Sequence, residues 1–143
     1  MKKDIRHRAR EGALQILYQW EIGGGGIDRA VDTFFRLQWP DADPPPDTLR
    51  EFATGLACDT VGRLEESDVL IAETAERWRP ERMAILDRLI LRMAITEMLR
   101  DREAPAPVVI NEALELARTF STEASVKFIN GMLDAVRKKL EAR

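Results

Sequence analysis

The sequence is poor in the side chains from which disulfides, metal sites and most hydrolytic centres are built. It has one cysteine and one histidine in 143 residues. Cys58 alone cannot form an internal disulfide, which favours a reducing cytoplasm, and we expect it to be a small core side chain. His7 alone cannot supply the repeated ligands of a zinc or di-iron site or the base of a catalytic constellation. We therefore predict that the protein is not an enzyme and needs no metal or cofactor.

Long apolar runs are also missing. No run approaches the roughly 20 residues of a membrane-spanning helix, and the charged N-terminus lacks the apolar stretch of a signal peptide. We therefore expect a cytoplasmic protein without membrane contact. A length of 143 residues with 45% hydrophobic composition is typical of one domain with its own core. We predict a single domain over residues 1–143.

Apolar residues recur at helical spacing along the chain, and no alternating strand pattern competes with them. The first helix should run from about Asp4 to Ile22 and end at four glycines, Gly23 to Gly26. These glycines are not a phosphate loop, because a helix and not a strand precedes them. The pattern predicts an all-α protein of about seven helices.

The later helices are separated by prolines and polar residues. The loop Pro40–Pro46 precedes a third helix, and a fourth should run from Ser67 or Asp68 to about Trp78. The segment Met83–Leu99 is apolar on nearly every side, which predicts a helix at the centre of a bundle. Pro105 and Pro107 precede the sixth helix, and the seventh should follow Ser121 and Thr122.

Charge is distributed unevenly, although the formal net charge is only −3. Asp41 to Asp87 contain twelve acids and five arginines, a net of −7 that would suit a basic protein partner. On a helical wheel, Lys3, Arg6 and Arg10 form one basic edge beside the core stripe, while Arg8 points elsewhere. Such an edge is either a solvated helix end or part of an RNA surface. The first ten residues have a net charge of +4 from one acid and five basic residues: Lys2, Lys3, Arg6, Arg8 and Arg10.

The last predicted helix carries an aromatic next to a cation. Ile129 belongs to its inner stripe, and Phe128 is rotated by about 100° from it, beside Lys127. An aromatic ring can stack an unpaired base while a neighbouring cation binds its phosphate. A phenylalanine in the core is the alternative interpretation.

Three blocks of sequence resemble those of one family. They are AREGALQILYQWE from Ala9 to Glu21, DRLILRMAITEML from Asp87 to Leu99, and VVINEALELARTFSTEASVKFINGMLD from Val108 to Asp134. In their order and spacing they are similar to the signature blocks of the NusB transcription antitermination factors, and the resemblance covers essentially the whole chain. The last block is the most specific, because an asparagine–glutamate pair precedes the run KFING at the family's separation.

The resemblance implies a fold of seven helices in two packed helical bundles. It also implies a factor that binds the boxA element of ribosomal RNA leader transcripts together with the ribosomal protein NusE, on the RNA polymerase elongation complex. The implied NusE contacts are Glu81 and Asp87. The implied RNA-binding residues are Lys2, Lys3, Arg6, Arg8, Arg10, Tyr18, Lys127 and Phe128.

The chain departs from the family pattern in two places. Asp4, Ile5 and His7 interrupt what is often an unbroken arginine run, and Ala124 stands where the family often has an acid. The main alternative is a protein-interaction module or homodimer without RNA binding, in which the basic residues pair with a partner's acids. A helical carrier of a small ligand is a third hypothesis.

Overall fold

The computed structural model describes residues 5–39, 44–74, 80–100 and 104–143. In these ranges the chain forms seven α-helices and a short 3₁₀ turn, Pro80–Arg82, and no strand. The predicted all-α fold is therefore confirmed. The helices are α1 (Ile5–Gly23), α2 (Ile27–Gln38), α3 (Asp47–Gly62), α4 (Leu64–Thr74), α5 (Ile85–Arg100), α6 (Ala106–Phe120) and α7 (Glu123–Glu141).

The helices belong to two compact units. The first, Met1–Gly62, contains α1 to α3, and the second, Arg63–Arg143, contains α4 to α7. Two groups of helices agree with the two bundles that the resemblance implies. The prediction that the chain forms a single domain stays a prediction.

In the first unit, α1 packs against both α2 and α3. Its apolar residues recur every three or four positions, so that Ala9, Ala13, Ile16 and Leu17 line one face and are fully buried. Helix α1 ends at Gly23, as the glycine run predicts. Gly24 and Gly25 then adopt φ values of +71° and +82°, a left-handed conformation that glycine reaches without steric cost.

In the second unit, α5 packs against α4, α6 and α7. Leu89, Ile90, Leu91 and Ile95 are fully buried, which confirms the predicted central helix. Arg92 on α5 donates two hydrogen bonds to the Asp68 carboxylate on α4, from Nε to Oδ1 and from Nη2 to Oδ2, both 2.8 Å long. A two-bond pair of this geometry fixes both distance and orientation between the two helices.

Two predicted helix starts are corrected. Helix α4 begins at Leu64, before the predicted Ser67 or Asp68, because only Arg63 separates it from α3 and no proline intervenes. Helix α5 begins at Ile85 and not at Met83, because the 3₁₀ turn occupies the residues just before. The predicted end of the fourth helix near Trp78 lies outside the described residues. Among those described, no helix combines the length and apolar character needed to cross a membrane.

Candidate nucleic-acid interface

The arginines at the start of α1 rest on aromatic rings. The Cζ atoms of Arg6 and Arg10 lie 5.1 and 5.3 Å from the centroid of the Phe52 ring on α3. The Cζ atom of Arg8 lies 5.5 Å from the ring of Trp39, just after α2. Each distance is within the range of a cation–π contact. Lys2 and Lys3, predicted to belong to the same basic surface, lie outside the described residues.

Arg10 differs from the sequence-based expectation. The helical wheel places it beside the core stripe, but its side chain is buried, with 5% of the residue exposed. A wheel of α1 alone does not contain Phe52, which comes from α3 and covers the guanidinium group. Arg6 and Arg8 are exposed, so they present the basic surface of α1 to solvent. A contact between Arg10 and RNA stays a prediction.

His7, which lies between Arg6 and Arg8 in the sequence, is not part of the exposed basic surface. The residue is only 8% exposed. Its Nε2 lies 3.5 Å from Oε1 of Glu11, one turn further along α1. His7 therefore belongs to the packed side of the helix.

Arg50 is a fourth arginine that rests on an aromatic ring in this unit, and the sequence analysis missed it as a site residue. It lies in the first turn of α3, is exposed, and has its Cζ atom 4.5 Å from the ring centroid of Phe35. Its only sequence signal is a charge within a largely acidic segment. The ring beneath it comes from a different helix, so spacing along the chain cannot reveal the contact.

Tyr18 lies on α1, two turns beyond Arg10, and is 42% exposed. A ring exposed to this extent can offer a face to an unpaired base. Its predicted role in RNA binding is consistent with this position and stays a prediction.

On α7, the structure places the predicted residues near the helix start. Thr122 caps the helix, and its Oγ1 accepts a hydrogen bond from the backbone N–H of Ser125 at 3.1 Å. Lys127 is exposed, Phe128 is half-buried, and Ile129 is fully buried. Phe128 therefore lies at the edge of the core, with part of its ring facing solvent beside Lys127.

The Asp87 carboxylate connects α5 to the start of α7. Its Oδ1 accepts a hydrogen bond from the Ser121 hydroxyl at 2.8 Å, and its Oδ2 accepts one from the Ser125 hydroxyl at 2.7 Å. Thr122 in turn donates from Oγ1 to the Ser125 Oγ at 3.0 Å. Three side chains around the α6–α7 connection are thus tied to one buried carboxylate.

This network changes the interpretation of Asp87. The family resemblance implies that Asp87 contacts NusE, but the residue is only 8% exposed and both carboxylate oxygens accept hydrogen bonds within the chain. Glu81, predicted for the same surface, is exposed in the 3₁₀ turn. Of the two, Glu81 is the exposed residue, whereas Asp87 would have to give up two hydrogen bonds to meet a partner.

The described residues contain no group of three or more histidine, cysteine, aspartate or glutamate side chains that could hold a metal ion. Cys58 is half-buried, less than the core position predicted for it. Burial, Asp28 and Asp59 together raise the pKa of its thiol. The thiol therefore stays protonated at neutral pH and is a poor nucleophile.

Comparison with known proteins identifies one family. The sequence model of the NusB family matches residues 7–138. The transcription antitermination protein NusB of Solibacter usitatus is 47% identical over 135 residues, covering 94% of this chain and 90% of that protein. The protein of the same name from Koribacter versatilis is 44% identical over 142 residues, covering 99% of this chain and 94% of its own length.

Solved structures agree with the sequence comparison. A structure of T. maritima NusB superposes with a TM-score of 0.83 and 29% identity, covering 96% of this chain and 93% of that one. A chain from a crystal structure of antitermination factors NusB and NusE in complex with dsRNA has a TM-score of 0.81 at 24% identity, covering 94% of this chain and 97% of that one. The second likeness shows the fold alone. From the match over residues 7–138 and the identity to full-length relatives, the chain belongs to the NusB family of transcription antitermination proteins.

Proposed function

We propose that this protein is a transcription antitermination factor that binds the boxA RNA of ribosomal RNA leader transcripts together with NusE. It would act on the RNA polymerase elongation complex, in the cytoplasm and without catalytic activity of its own. The proposal rests on membership of the NusB family, whose relatives are named transcription antitermination proteins. The single structural observation that carries it is the set of exposed arginines stacked on aromatic rings at the start of α1.

A guanidinium group that rests on an aromatic ring is preorganised to bind a phosphate. A guanidinium group within cation–π distance of a ring keeps its charge and its five N–H donors, which can bind phosphate oxygens in pairs. Arg8 has its ring contact with Trp39 and, within the part of the chain that the structure describes, no carboxylate partner. Stacking also restricts the side chain before binding, which lowers the entropy cost of ordering it on RNA.

Lys127 and Phe128 on α7 supply the second proposed set of RNA contacts. Lys127 is exposed and can bind a phosphate, and the half-buried ring of Phe128 can stack a base. Single-stranded RNA is recognised by this combination of stacking and cation contacts. We propose that Lys127 and Phe128 bind RNA, as we propose for the arginines of α1.

For NusE, we propose Glu81 as the first contact. A basic ribosomal protein suits the acidic middle of the sequence, and Glu81 is exposed within it. Asp87 would contribute to this surface only indirectly, because its carboxylate is engaged by Ser121 and Ser125.

The decisive experiment measures binding of the protein to boxA RNA and to a scrambled RNA, with and without NusE. We expect a preference for boxA in the presence of NusE, with affinity falling with salt at a log–log slope of about −0.7 for each phosphate contact. Equal affinity for both RNAs in the joint complex would contradict the proposal. Light scattering in the same samples tests the alternative, since a homodimer indifferent to RNA would favour an interaction module.

Variants of α7 distinguish a specific phosphate contact from a general effect of positive charge on RNA binding. We expect Lys127→Ala to reduce the salt slope by about 0.7, because one phosphate contact is lost. Lys138→Ala is the matched control, since it removes the same charge from the same helix at a residue that pairs with Asp134 at 3.2 Å. We also expect Phe128→Ala to weaken RNA binding without unfolding the protein. A large drop in melting temperature would show that Phe128 serves the core instead.

A further inference from the structure

A cleft lies in the first unit, where the end of α1 meets the start of α2. We call it the α1–α2 cleft. It has a volume of about 240 Å³. Two of its lining residues are arginines and none is acidic, although the whole chain carries a net charge of −3. The cleft is therefore a positively charged region on an acidic protein. Seven residues line it: Gln19, Gly23, Gly24, Arg29, Ala30, Thr33 and Arg36.

The two arginines come from one side of α2. Arg29 and Arg36 are seven positions apart, which places them within about 20° of each other around the helix axis, and both are exposed. Arg29 forms no hydrogen bond or ion pair with another side chain of the described residues. Arg36 pairs with Asp32 at 3.7 Å, but these side chains are 67% and 72% exposed. Such a pair is weak, so an anion in the cleft can compete with Asp32 for the guanidinium group.

Two glycines leave room for donor groups at the cleft. A Cβ atom at Gly25 would lie 3.3 Å from Cδ of Arg29, and one at Gly23 would lie 2.8 Å from Nε2 of Gln19. The stem of Arg29 and the amide of Gln19 thus occupy space that larger residues would fill. The glycine run therefore does more than end α1, because it also admits two side chains that donate hydrogen bonds.

Thr33 lies between the two arginines and differs from other threonines in the described helices. Thr33 makes no hydrogen bond to the Arg29 carbonyl, four residues earlier, and has no other partner among the described residues. Its hydroxyl is thus available to a ligand. Four threonines do donate to the carbonyl four residues earlier: Thr60, Thr74, Thr96 and Thr119.

The size of the cleft limits what can enter it. At roughly 30 Å³ for each water, its 240 Å³ hold about eight water molecules. Pockets for drug-sized ligands begin at about 300 Å³ and are mostly apolar. The α1–α2 cleft is smaller and lined by cations and hydrogen-bond donors, which suits a small anion. The end of α1 and the start of α2 carry opposite partial charges, so the positive charge comes from the two arginines.

We propose that the α1–α2 cleft binds one phosphate group. Arg29 and Arg36 supply charge-assisted hydrogen bonds, while the Gln19 amide and the Thr33 hydroxyl supply neutral ones. Four donor groups suit a phosphate, with oxygens on several sides, better than a carboxylate with two. The side chains of α1 and α2 hold the phosphate, unlike a phosphate loop, in which the backbone of the glycine run would hold it.

The phosphate has two possible sources, an RNA strand and free phosphate. Gln19 follows Arg8 by eleven residues on α1, a distance of about 16 Å along the helix. At roughly 3.4 Å for each phosphate of a stacked strand, about five nucleotides cover that distance. RNA held at the start of α1 can therefore reach the cleft, and free phosphate can enter it without RNA.

The first test is a titration of the whole protein with inorganic phosphate at constant ionic strength, followed by NMR. We expect saturable shifts of the Arg29 Nε–H and Gln19 amide signals, with a Kd on the order of 1 mM, and none with chloride. Arg29→Gln should weaken phosphate binding about tenfold, because a charged donor is lost. Thr33→Val, which keeps the shape of the side chain, should weaken it about threefold.

Arg118→Gln is the matched control. Arg118 is an exposed arginine on α6 that pairs with Glu115 at 2.7 Å, so its replacement removes the same charge from the other unit. We expect it to leave phosphate binding unchanged. Equal weakening by Arg29→Gln and Arg118→Gln would show an effect of general charge and overturn the proposal.

The second test identifies the source of the phosphate. If RNA supplies it, Arg29→Gln should lower the log–log salt slope of RNA binding by about 0.7. A phosphate titration that saturates while the RNA slope stays unchanged would support the site and assign it to free phosphate. No saturable shift together with an unchanged RNA slope would overturn the proposal. The phosphate titration uses no RNA, so a failure of the proposed boxA binding leaves its result standing.

Discussion

The start of α1 and the start of α7 both carry cations that we propose to bind RNA, but the surroundings of these cations differ. On α1, Arg6 and Arg10 pack on Phe52, and Arg10 is buried. On α7, Lys127 extends into solvent, while the residues that fix the helix, Ser125 and its acceptor Asp87, lie behind it.

This difference determines where an effect of a substitution on RNA binding can be separated from an effect on stability. At α1 the same side chains pack on the aromatic ring and offer positive charge, so we expect their removal to change stability and RNA binding together. At α7 the two tasks fall on separate residues, so binding can be changed while stability is kept. Three substitutions test this contrast, beginning with the largest expected effect.

Asp87→Ala should remove the fixed position of the α7 start. We expect the free energy of unfolding to fall by about 3 kcal/mol, because two hydrogen bonds to a buried charged acceptor are lost. Urea denaturation at neutral pH measures the change. Thr96→Val on α5 is the control, since it removes one buried hydrogen bond, from Thr96 Oγ1 to the Arg92 carbonyl, and should cost about 1 kcal/mol. An Asp87→Ala variant as stable as the Thr96→Val control would show that Asp87 does not fix the start of α7. The contrast drawn between α1 and α7 would then fail.

Arg10→Ala should affect both stability and RNA binding. We expect a loss of about 1–2 kcal/mol in the free energy of unfolding, from the ring contact and from the packing of the aliphatic stem. Arg10→Lys sharpens the comparison, because it keeps the charge but not the flat group that stacks on Phe52. It should recover RNA affinity more fully than stability. If Arg10→Ala unfolds at the same urea concentration as the unmodified chain, Arg10 does not stabilise the fold. Stability and RNA binding then do not depend on the same side chain of α1.

Asp134 should give the smallest effect, and one that depends on pH. Hydrogen bonds from Arg137 and Lys138 lower the pKa of its carboxyl below the ordinary 3.8. A lowered carboxyl pKa stabilises the folded state above the ordinary value, and this contribution is lost as the pH falls through the folded pKa. Asp134→Asn should therefore melt slightly lower than the unmodified chain at pH 7, by little because the pair is exposed.

A series of melting curves at falling pH checks the sign. The difference between Asp134→Asn and the unmodified chain should shrink as the pH falls below 3.8. A difference that grows in acid would show that the carboxylate does not stabilise the folded state.

The sequence predicts the features that depend on residues close together in the chain. The spacing of Ala9, Ala13 and Leu17 predicts the buried face of α1, and the glycine run predicts its end. Thr122 is recognisable as the start of α7, because a threonine before a helical segment is a typical cap. These features depend on residues a few positions apart.

Features made by distant residues were missed or misplaced. Asp87 looks like a surface acid until Ser121 and Ser125 are placed beside it, 34 and 38 positions later in the chain. Arg10 looks exposed on a wheel of α1 because its cover, Phe52, comes from α3. The starts of α4 and α5 shifted for a different reason, since a single residue or a 3₁₀ turn can join helices without a strong sequence signal.

The glycine turn between α1 and α2 has a consequence for chirality. Gly24 and Gly25 are the only residues in the described ranges with a positive φ, the mirror image of the conformation that an L-amino acid prefers. An L-alanine at Gly24 would be strained by about 1 kcal/mol. A D-alanine introduced there by chemical synthesis would instead find its preferred backbone angles. Among the described residues, this turn is the place where a D-amino acid suits the backbone conformation better than an L-amino acid.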